Sequence, residues 1–182
     1  IVVTARILEV PTTHEWLGRS FPKPEGSLLE IGHVARHVSL ELASMGYDVT
    51  AIDLRTYAFS HKKLTSLVGD FLKHDFRGAR FDGIFSLSTV EHFGFSARYG
   101  GHDTPESVED DEAFRKISHL LVPHGHAIIT VPFAKAWCEG IWFRVYTRAD
   151  IEGKLKRYFD IEESRYYRRE NNSWTPSHGS ND

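Results

Sequence analysis

Short apolar runs alternate with amphipathic stretches along the chain. The first run covers residues 28–31, and helically spaced apolar residues then follow from Ala35 to a stop at Gly46. Further strands are predicted at residues 47–52, 64–68, 81–87, 127–131 and 158–168, with a turn at 122–125 leading into the strand at 127–131. Strands that alternate with helices predict an α/β domain with a mostly parallel central sheet.

The connections between these strands carry helix signals of their own. A helix with Phe114, Ile117 and Leu121 on one face has acids in its first turn, which suit the positive end of a helix dipole. Thr147 is placed to cap a helix that runs to about Arg157. A short helix is expected between the second and third strands. Residues 1–25 form an N-terminal appendage packed on the sheet, and residues 171–182 an irregular tail.

Composition limits the classes of protein that fit. A chain of 182 residues with 41% hydrophobic residues and a net charge of −3 predicts one folded domain, residues 1–182, and excludes a disordered chain. The composition shows no surplus of basic residues of the kind that nucleic-acid binding needs, and the sequence has no apolar stretch that could span a membrane. With Cys138 as its single cysteine, the chain is expected in the reducing cytoplasm.

The turn after the first strand is the first candidate site. A nucleotide-like cofactor needs a glycine turn there and an acid on the ribose hydroxyls roughly 20 residues later. Gly32 supplies the turn, and Asp53 lies 21 residues further on. The loop has one glycine, however, so an ordinary turn followed by an aspartate that caps the next loop fits these residues equally well.

Later segments extend the pattern in a fixed order. They are residues 28–32 (LLEIG), 46–54 (GYDVTAIDL), 69–71 (GDF), 81–92 (FDGIFSLSTVEH), 120–126 (LLVPHGH) and 130–133 (TVPF). In this combination the chain resembles the class I S-adenosylmethionine-dependent methyltransferases over roughly residues 5–169. It is most similar to small bacterial-type members, some of which tailor sugars or surface glycans.

The resemblance implies a Rossmann-like methyltransferase fold, with helices on both faces of the sheet. This fold ends with an antiparallel strand, for which only a truncated segment at residues 173–176 remains. The cofactor would be S-adenosylmethionine, with S-adenosylhomocysteine as the product. By resemblance, the cofactor-binding residues are Glu30, Gly32 and His33 at the methionine end, Asp53 at the ribose, Leu54, Asp70 and Phe71 at the adenine, and Leu87 and Ser88 closing the site.

Two residues depart from the family pattern in the first loop. Val34 and Arg36 stand where glycines are usual, and a Cβ at position 34 could block amide contacts to the cofactor. An alternative is therefore a non-catalytic binding module that kept the fold but lost the cofactor. A nicotinamide-dependent oxidoreductase is a third hypothesis, supported only by Gly32 and Asp53.

The methyl group of a sulfonium is already activated, so the enzyme mainly has to align an acceptor and, where needed, remove a proton. His92 is the candidate base, with Glu91 to orient its ring; a structural histidine is the alternative. Arg98, Tyr99 and Trp137 are the candidate substrate residues, in a glycine-rich loop and an aromatic segment. The expected acceptor is oxygen or nitrogen of a small molecule, sugars included, and not nucleic acid.

A metal site is not expected. The 11 histidines include no His-Glu-x-x-His arrangement, and paired cysteines are impossible with one cysteine. Some RNA-end methyltransferases of this fold bind a divalent ion with a Glu-x-x-Glu-His run, but Ser88 occupies the first position of that run here.

Overall fold

Helices and strands alternate along the chain in the computed structural model, which describes residues 5–95, 108–134, 138–139 and 143–177. The helices are α1 (Arg6–Ser20), α2 (Val38–Met45), α3 (Glu109–Leu120) and α4 (Arg148–Leu155), with a short 3₁₀ helix at Val90–His92. The strands are β1 (Ser27–Ile31), β2 (Asp48–Asp53), β3 (Leu64–Val68), β4 (Phe81–Leu87), β5 (Leu121–Thr130), β6 (Cys138–Glu139), β7 (Arg144–Val145), β8 (Tyr166–Glu170) and β9 (Ser173–Ser177).

The central sheet has five parallel strands in the order β3-β2-β1-β4-β5. The chain order reverses between β1 and β4, which are neighbours with Ile31 beside Ser86. Ligands of open α/β sheets bind at the carboxyl ends of the strands beside such a reversal. The predicted Rossmann-like fold with a mostly parallel sheet is therefore confirmed.

Both faces of the sheet are covered, so successive side chains of its strands are buried on opposite sides. Leu28 belongs to the layer under α1 and α2, whereas Leu29 belongs to the layer under α3. The first layer includes Leu17, Val38, Leu42, Val49, Phe85 and Leu87, and the second Ile31, Ile52, Ile84, Phe114 and Ile117. This burial on both faces explains why the strands lack an alternating polar pattern.

The N-terminal appendage contains a helix that packs on the sheet. Glu9 lies 2.6 Å from the Thr130 hydroxyl at the carboxyl end of β5. The Trp16 ring lies 5.8 Å from the His126 ring, four residues earlier on that strand. Helix α1 therefore runs antiparallel to β5, and its N-terminal half lies at the carboxyl ends of the strands.

Several predicted boundaries are wrong. Helix α2 begins at Val38 rather than Ala35, because residues 34 and 35 form a turn. Strand β5 begins at Leu121, and the predicted turn at 122–125 is instead an irregularity inside it, where the register with β4 shifts. Residues 54–63 contain no helix. The helix α4 prediction is confirmed, with Thr147 and Asp150 forming a capping box.

The C-terminal prediction also changes. The strand expected over 158–168 begins only at Tyr166, because residues 158–165 contain no strand. Residues 171–177 are not irregular: Ser173–Ser177 pairs antiparallel with β8 in a hairpin separate from the central sheet. The described helices include none that is long and apolar enough to cross a membrane.

Candidate active site at the carboxyl ends of the strands

Gly32 makes the turn after β1 with a positive φ of 81°, and its N–H donates to the Ile52 carbonyl at 2.8 Å. A Cβ at this position would lie 2.3 Å from the Thr89 hydroxyl oxygen. Glycine is therefore required both by the backbone conformation and by the close approach of Thr89.

The Arg36 side chain is folded back onto the turn at Gly32, although it is long and charged. Its Nη2 donates to the Gly32 carbonyl at 2.8 Å and to the Thr89 hydroxyl at 3.1 Å. Its Nε lies 3.6 Å from Glu30 Oε1, and both side chains are buried. Arg36 thus ties together the ends of β1 and β4 where the family pattern has glycine.

Glu30 holds the start of helix α2. Its Oε2 accepts from the Ser39 amide at 3.0 Å and from the Ser39 hydroxyl. Burial raises the pKa of Glu30 to about 6, against the lowering effect of Ser39 and Arg36. Its other oxygen accepts no hydrogen bond within the described part of the chain.

Asp53 ends β2 and is nearly buried. Its oxygens accept from the Val34 amide at 3.1 Å and the Arg55 amide at 3.0 Å, and from the Arg55 guanidinium. Burial alone raises the pKa of Asp53, but these hydrogen bonds outweigh it and lower the pKa overall. The Val34 amide thus helps to hold the Asp53 carboxylate in place.

His33 is buried between β3 and the loop after β2. One ring nitrogen lies 3.0 Å from the Ser66 hydroxyl, and its ring packs 4.8 Å from that of Tyr57. Burial lowers the pKa of His33. The His33 side chain therefore faces Tyr57 and β3. It lies on the same side of the strand-order reversal as the end of β2, where Asp53 is located.

The residues predicted at the adenine differ in exposure. Leu54 is half-buried, and Asp70 Oδ1 accepts from the Leu72 amide at 2.9 Å while its other oxygen lies 3.3 Å from Lys73. Phe71, however, is 3% exposed and packs in the core against Phe76 and Phe93. The Phe71 ring is therefore part of the fold's core.

Ser88 follows β4 with a positive φ of 44°. Its amide donates to the Thr130 carbonyl at 3.1 Å and hydroxyl at 2.8 Å, and its own hydroxyl donates to Glu9. Leu87 beside it is fully buried under the first core layer. The end of β4 is thus fixed to the end of β5.

Glu91 and His92 lie in the 3₁₀ helix after β4. Burial, with a smaller contribution from the charge of Glu9, raises the pKa of Glu91 to about 8. His92 Nε2 is 3.9 Å from Glu91 Oε1, too far for a hydrogen bond. The His92 side chain is 24% exposed and packs edge-on to Phe143 at 6.0 Å. The structure therefore places Glu91 and His92 close together, but without the hydrogen bond between them that would orient the His92 ring.

Glu9 is a site residue that the sequence interpretation missed. Its Oε1 accepts from the hydroxyls of Ser88 and Thr130. The signal was available, because Glu9, Thr13 and Leu17 follow at spacings of four and form the buried face of α1. An acid on the buried face of an amphipathic helix needs a polar partner in the fold.

Buried polar atoms without a hydrogen bond concentrate at this edge. In the described ranges they are Glu9 Oε2, Glu30 Oε1, His33 Nδ1, Arg36 Nε, Ser86 Oγ, Glu91 Oε2 and Asp111 Oδ1. All but Asp111 belong to the ends of β1 and β4, the segments that follow them, or the α1 side chain beside them. Such atoms normally have partners, so their concentration is typical of a ligand site.

The predicted substrate residues lie outside the described residues; they are Arg98, Tyr99 and Trp137. Within the ranges that are described, no group of three or more His, Cys, Asp or Glu side chains could hold a metal ion.

The chain is structurally similar to several solved proteins. The 1,6-didemethyltoxoflavin-N1-methyltransferase of Burkholderia thailandensis, solved with bound 1,6-didemethyltoxoflavin and S-adenosylhomocysteine, gives a TM-score of 0.68 at 16% identity, over 88% of this chain and 71% of that one. Phosphoethanolamine N-methyltransferase 2 of Haemonchus contortus, in complex with S-adenosyl-L-methionine, gives 0.66 at 20% identity, over 86% of this chain and 38% of that one. The PH0226 protein of Pyrococcus horikoshii gives 0.60 at 17% identity, over 92% and 87%.

At sequence level, no curated protein matches the chain. The family model described as a methyltransferase domain matches residues 29–129, more than half of the chain, from β1 through most of β5. The matched range contains the Gly32 turn, Asp53, Asp70 and the segment after β4. The chain belongs to this methyltransferase-domain family, whose members are class I enzymes that use S-adenosylmethionine.

Proposed function

We propose that this enzyme transfers a methyl group from S-adenosylmethionine to oxygen or nitrogen of a small molecule, sugars included. The supporting observation is the concentration, in the described part of the chain, of buried polar atoms without a hydrogen bond near the carboxyl ends of β1 and β4; beyond the ion-paired Glu30 and Arg36 they are Glu9 Oε2, His33 Nδ1, Ser86 Oγ and Glu91 Oε2. That edge lies at the reversal of strand order, where α/β sheets bind ligands.

The residues at this edge fit the cofactor. Asp53 is a carboxylate with a lowered pKa at the end of β2, suited to accept from two ribose hydroxyls. Its guanidinium partner, Arg55, has a side chain that is 39% exposed. Half-buried Leu54 and Asp70 would hold the adenine, and Gly32 would border the methionine end. When bound, the cofactor supplies the activated methyl group.

The chain's own part in the reaction is to position the acceptor and remove a proton from it. His92 is partly exposed and lies in the segment after β4, beside the buried Glu91. We assign it the role of base for acceptors that must lose a proton. Arg98, Tyr99 and Trp137 are proposed to contact the acceptor.

Ligand-dependent thermal shifts test the cofactor directly, since a ligand bound only by the native state raises its melting temperature. S-adenosylmethionine and S-adenosylhomocysteine are expected to raise it, and NAD to leave it unchanged. Asp53→Ala should abolish the shift. Asp48→Ala, at the exposed beginning of the same strand, should keep it. A wild-type protein that responds to neither sulfur nucleoside would refute the proposal.

Methyl transfer to a panel of small alcohols, amines and sugars, with radiolabelled cofactor, tests the acceptor side. His92→Ala should slow transfer while the cofactor affinity is unchanged. His119→Ala, which removes an exposed histidine from α3, should leave both unchanged. Equal rates for His92→Ala and wild type would remove the proposed role of His92.

A further inference from the structure

Two buried acids from different elements lie near the carboxyl ends of β4 and β5. Glu9 reaches this place from α1 and is 8% exposed, and Glu91 reaches it from the 3₁₀ helix and is 2% exposed. They are close enough that the charge of Glu9 raises the pKa of Glu91. Helix α1, which packs on the sheet, thus places the Glu9 carboxylate at the carboxyl ends of the strands.

Each acid keeps one carboxylate oxygen without a partner. Glu9 Oε1 accepts from Ser88 and Thr130, but Glu9 Oε2 accepts from no group in the described ranges, and neither does Glu91 Oε2. A buried carboxylate oxygen without a hydrogen bond is costly, so it persists where a ligand supplies the missing donor. The two free oxygens therefore point to a ligand that brings hydrogen-bond donors.

We propose that Glu9 and Glu91 form the binding subsite for the acceptor, and that this acceptor is an amine bound as its ammonium ion. The proposal rests on the proposed methyl transfer and specifies its substrate class. Among the described residues, Arg36 is the cation whose charge acts on Glu91, and its guanidinium is already shared between Gly32, Thr89 and Glu30.

The excess of acid distinguishes an amine from an alcohol. A hydroxyl offers one donor and no charge, so it would satisfy one oxygen and leave a buried negative charge uncompensated. An ammonium offers three donors and a positive charge, and charge-assisted hydrogen bonds are the stronger kind. The hydroxyls of Ser88 and Thr130 hold Glu9 in place for this contact.

The same pair can prepare the amine for reaction. An ammonium beside Glu91 favours the ionised form of its carboxyl group, which then accepts one proton from the nitrogen. The freed lone pair forms the bond to the methyl carbon, and the electron pair of the broken carbon–sulfur bond stays on sulfur. The products are the N-methylammonium ion and S-adenosylhomocysteine, and Glu91 releases its proton to solvent.

The test uses the full chain saturated with S-adenosylhomocysteine. Ethylammonium chloride is titrated against it, with ethanol and with sodium chloride at equal ionic strength as matched probes, and binding is followed by thermal shift. Ethylammonium is expected to give a saturable rise in melting temperature that ethanol and sodium chloride do not give. In Glu9→Gln, an isosteric change that still accepts from both hydroxyls, the apparent affinity should fall about tenfold or more.

Glu15→Gln is the matched control, because it removes an exposed carboxylate from the same helix and should bind ethylammonium as wild type does. The proposal is overturned if ethylammonium behaves like sodium chloride, if ethanol gives the same rise, or if Glu9→Gln responds like wild type. Failure of the wild type to bind S-adenosylhomocysteine would instead refute the proposed function, and the inference with it.

Discussion

Arg55 holds both oxygens of the Asp53 carboxylate. Its Nε lies 2.9 Å from Oδ1 and its Nη2 lies 3.0 Å from Oδ2. The Asp53 side chain is buried, whereas that of Arg55 is 39% exposed, so the pair links a buried acceptor to a partly exposed donor. Ribose hydroxyls that bind to Asp53 must therefore replace the Arg55 guanidinium.

Removal of the Arg55 side chain should accordingly strengthen cofactor binding. The guanidinium is partly exposed, and exposed ion pairs contribute about 0.2–1 kcal/mol, so we expect Arg55→Ala to raise the affinity for S-adenosylhomocysteine up to about fivefold. Isothermal titration measures this directly. Arg115→Ala, an exposed arginine on α3, should have no effect. Weaker binding in Arg55→Ala would show that the guanidinium contacts the cofactor instead of competing with it.

The raised pKa of Glu91 predicts that the free energy of unfolding falls as the pH rises. Its pKa is about 8 in the folded protein against an ordinary value of 4.5. Between these values the folded state binds more protons than the unfolded state, so the free energy of unfolding decreases as pH rises. Glu91→Gln should reduce this decrease and make the protein more stable than wild type at pH 8, as measured by urea unfolding at a series of pH values.

Glu30 acts in the same direction over a narrower range, because its pKa is about 6. In Glu91→Gln the remaining decrease should therefore be confined to the more acidic half of the range. An unchanged pH profile in Glu91→Gln would mean that Glu91 is ionised in the folded protein at neutral pH. Glu112→Gln, an exposed change on α3, is the control.

Much of the fold could be predicted from the sequence, because burial on both faces leaves continuous apolar runs. Residues 28–31 and 81–87 lie within or coincide with observed strands for this reason, whereas residues 64–68 coincide with β3, a partly exposed strand at the edge of the sheet. The errors arose where tertiary contacts override local signals. The predicted turn at 122–125 lies inside β5, and residues 158–165 are not a strand although their apolar content suggested one.

The candidate site could be predicted only in outline. Gly32 and Asp53 were identified by spacing, and both lie at the predicted edge. Sequence spacing does not show which groups donate hydrogen bonds to a carboxylate, so the contacts of Asp53 with Arg55 and of Glu30 with Ser39 were not foreseen. Glu9 was missed because it joins the site through contacts with Ser88 and Thr130, which lie 79 and 121 residues away in the chain.

A buried polar cluster joins α3, the residue after β7 and α4. Asp110 Oδ2 accepts from the Tyr146 hydroxyl at 3.0 Å and from Lys154. Burial and the neighbouring Asp110 charge raise the pKa of Tyr146 above its ordinary range. Tyr146→Phe should lower the free energy of unfolding by about 1–2 kcal/mol, the value of a buried hydrogen bond to a charged group.

Asp110→Asn should cost more, about 3 kcal/mol, since it also leaves Lys154 without its carboxylate. Urea unfolding at constant pH gives both values. Arg148→Ala, which breaks an exposed pair with Glu152 on α4, should change little. If Asp110→Asn were no more destabilising than Arg148→Ala, the cluster would not contribute to the packing of α4.

Glycine at positions 34 and 36 would restore the usual family pattern, but the structure predicts a much larger loss of stability at position 36 than at position 34. Val34→Gly keeps the amide that donates to Asp53, so it should cost only about 0.5–1 kcal/mol of backbone entropy. Arg36→Gly removes the donor to Gly32 and Thr89 and leaves buried Glu30 without a cation, so it should cost about 3–5 kcal/mol.

The Arg36 loss depends on the charge of Glu30, and a double-mutant cycle isolates that dependence. Glu30→Gln removes the charge but keeps an acceptor for Ser39, so Arg36→Gly should be less harmful in the Glu30→Gln background than in wild type. Urea unfolding gives the stabilities, and titration with S-adenosylhomocysteine gives the affinities. A stable Arg36→Gly single variant that binds the nucleoside more tightly than wild type would contradict this account, since Arg36 would then obstruct the loop that we infer it supports.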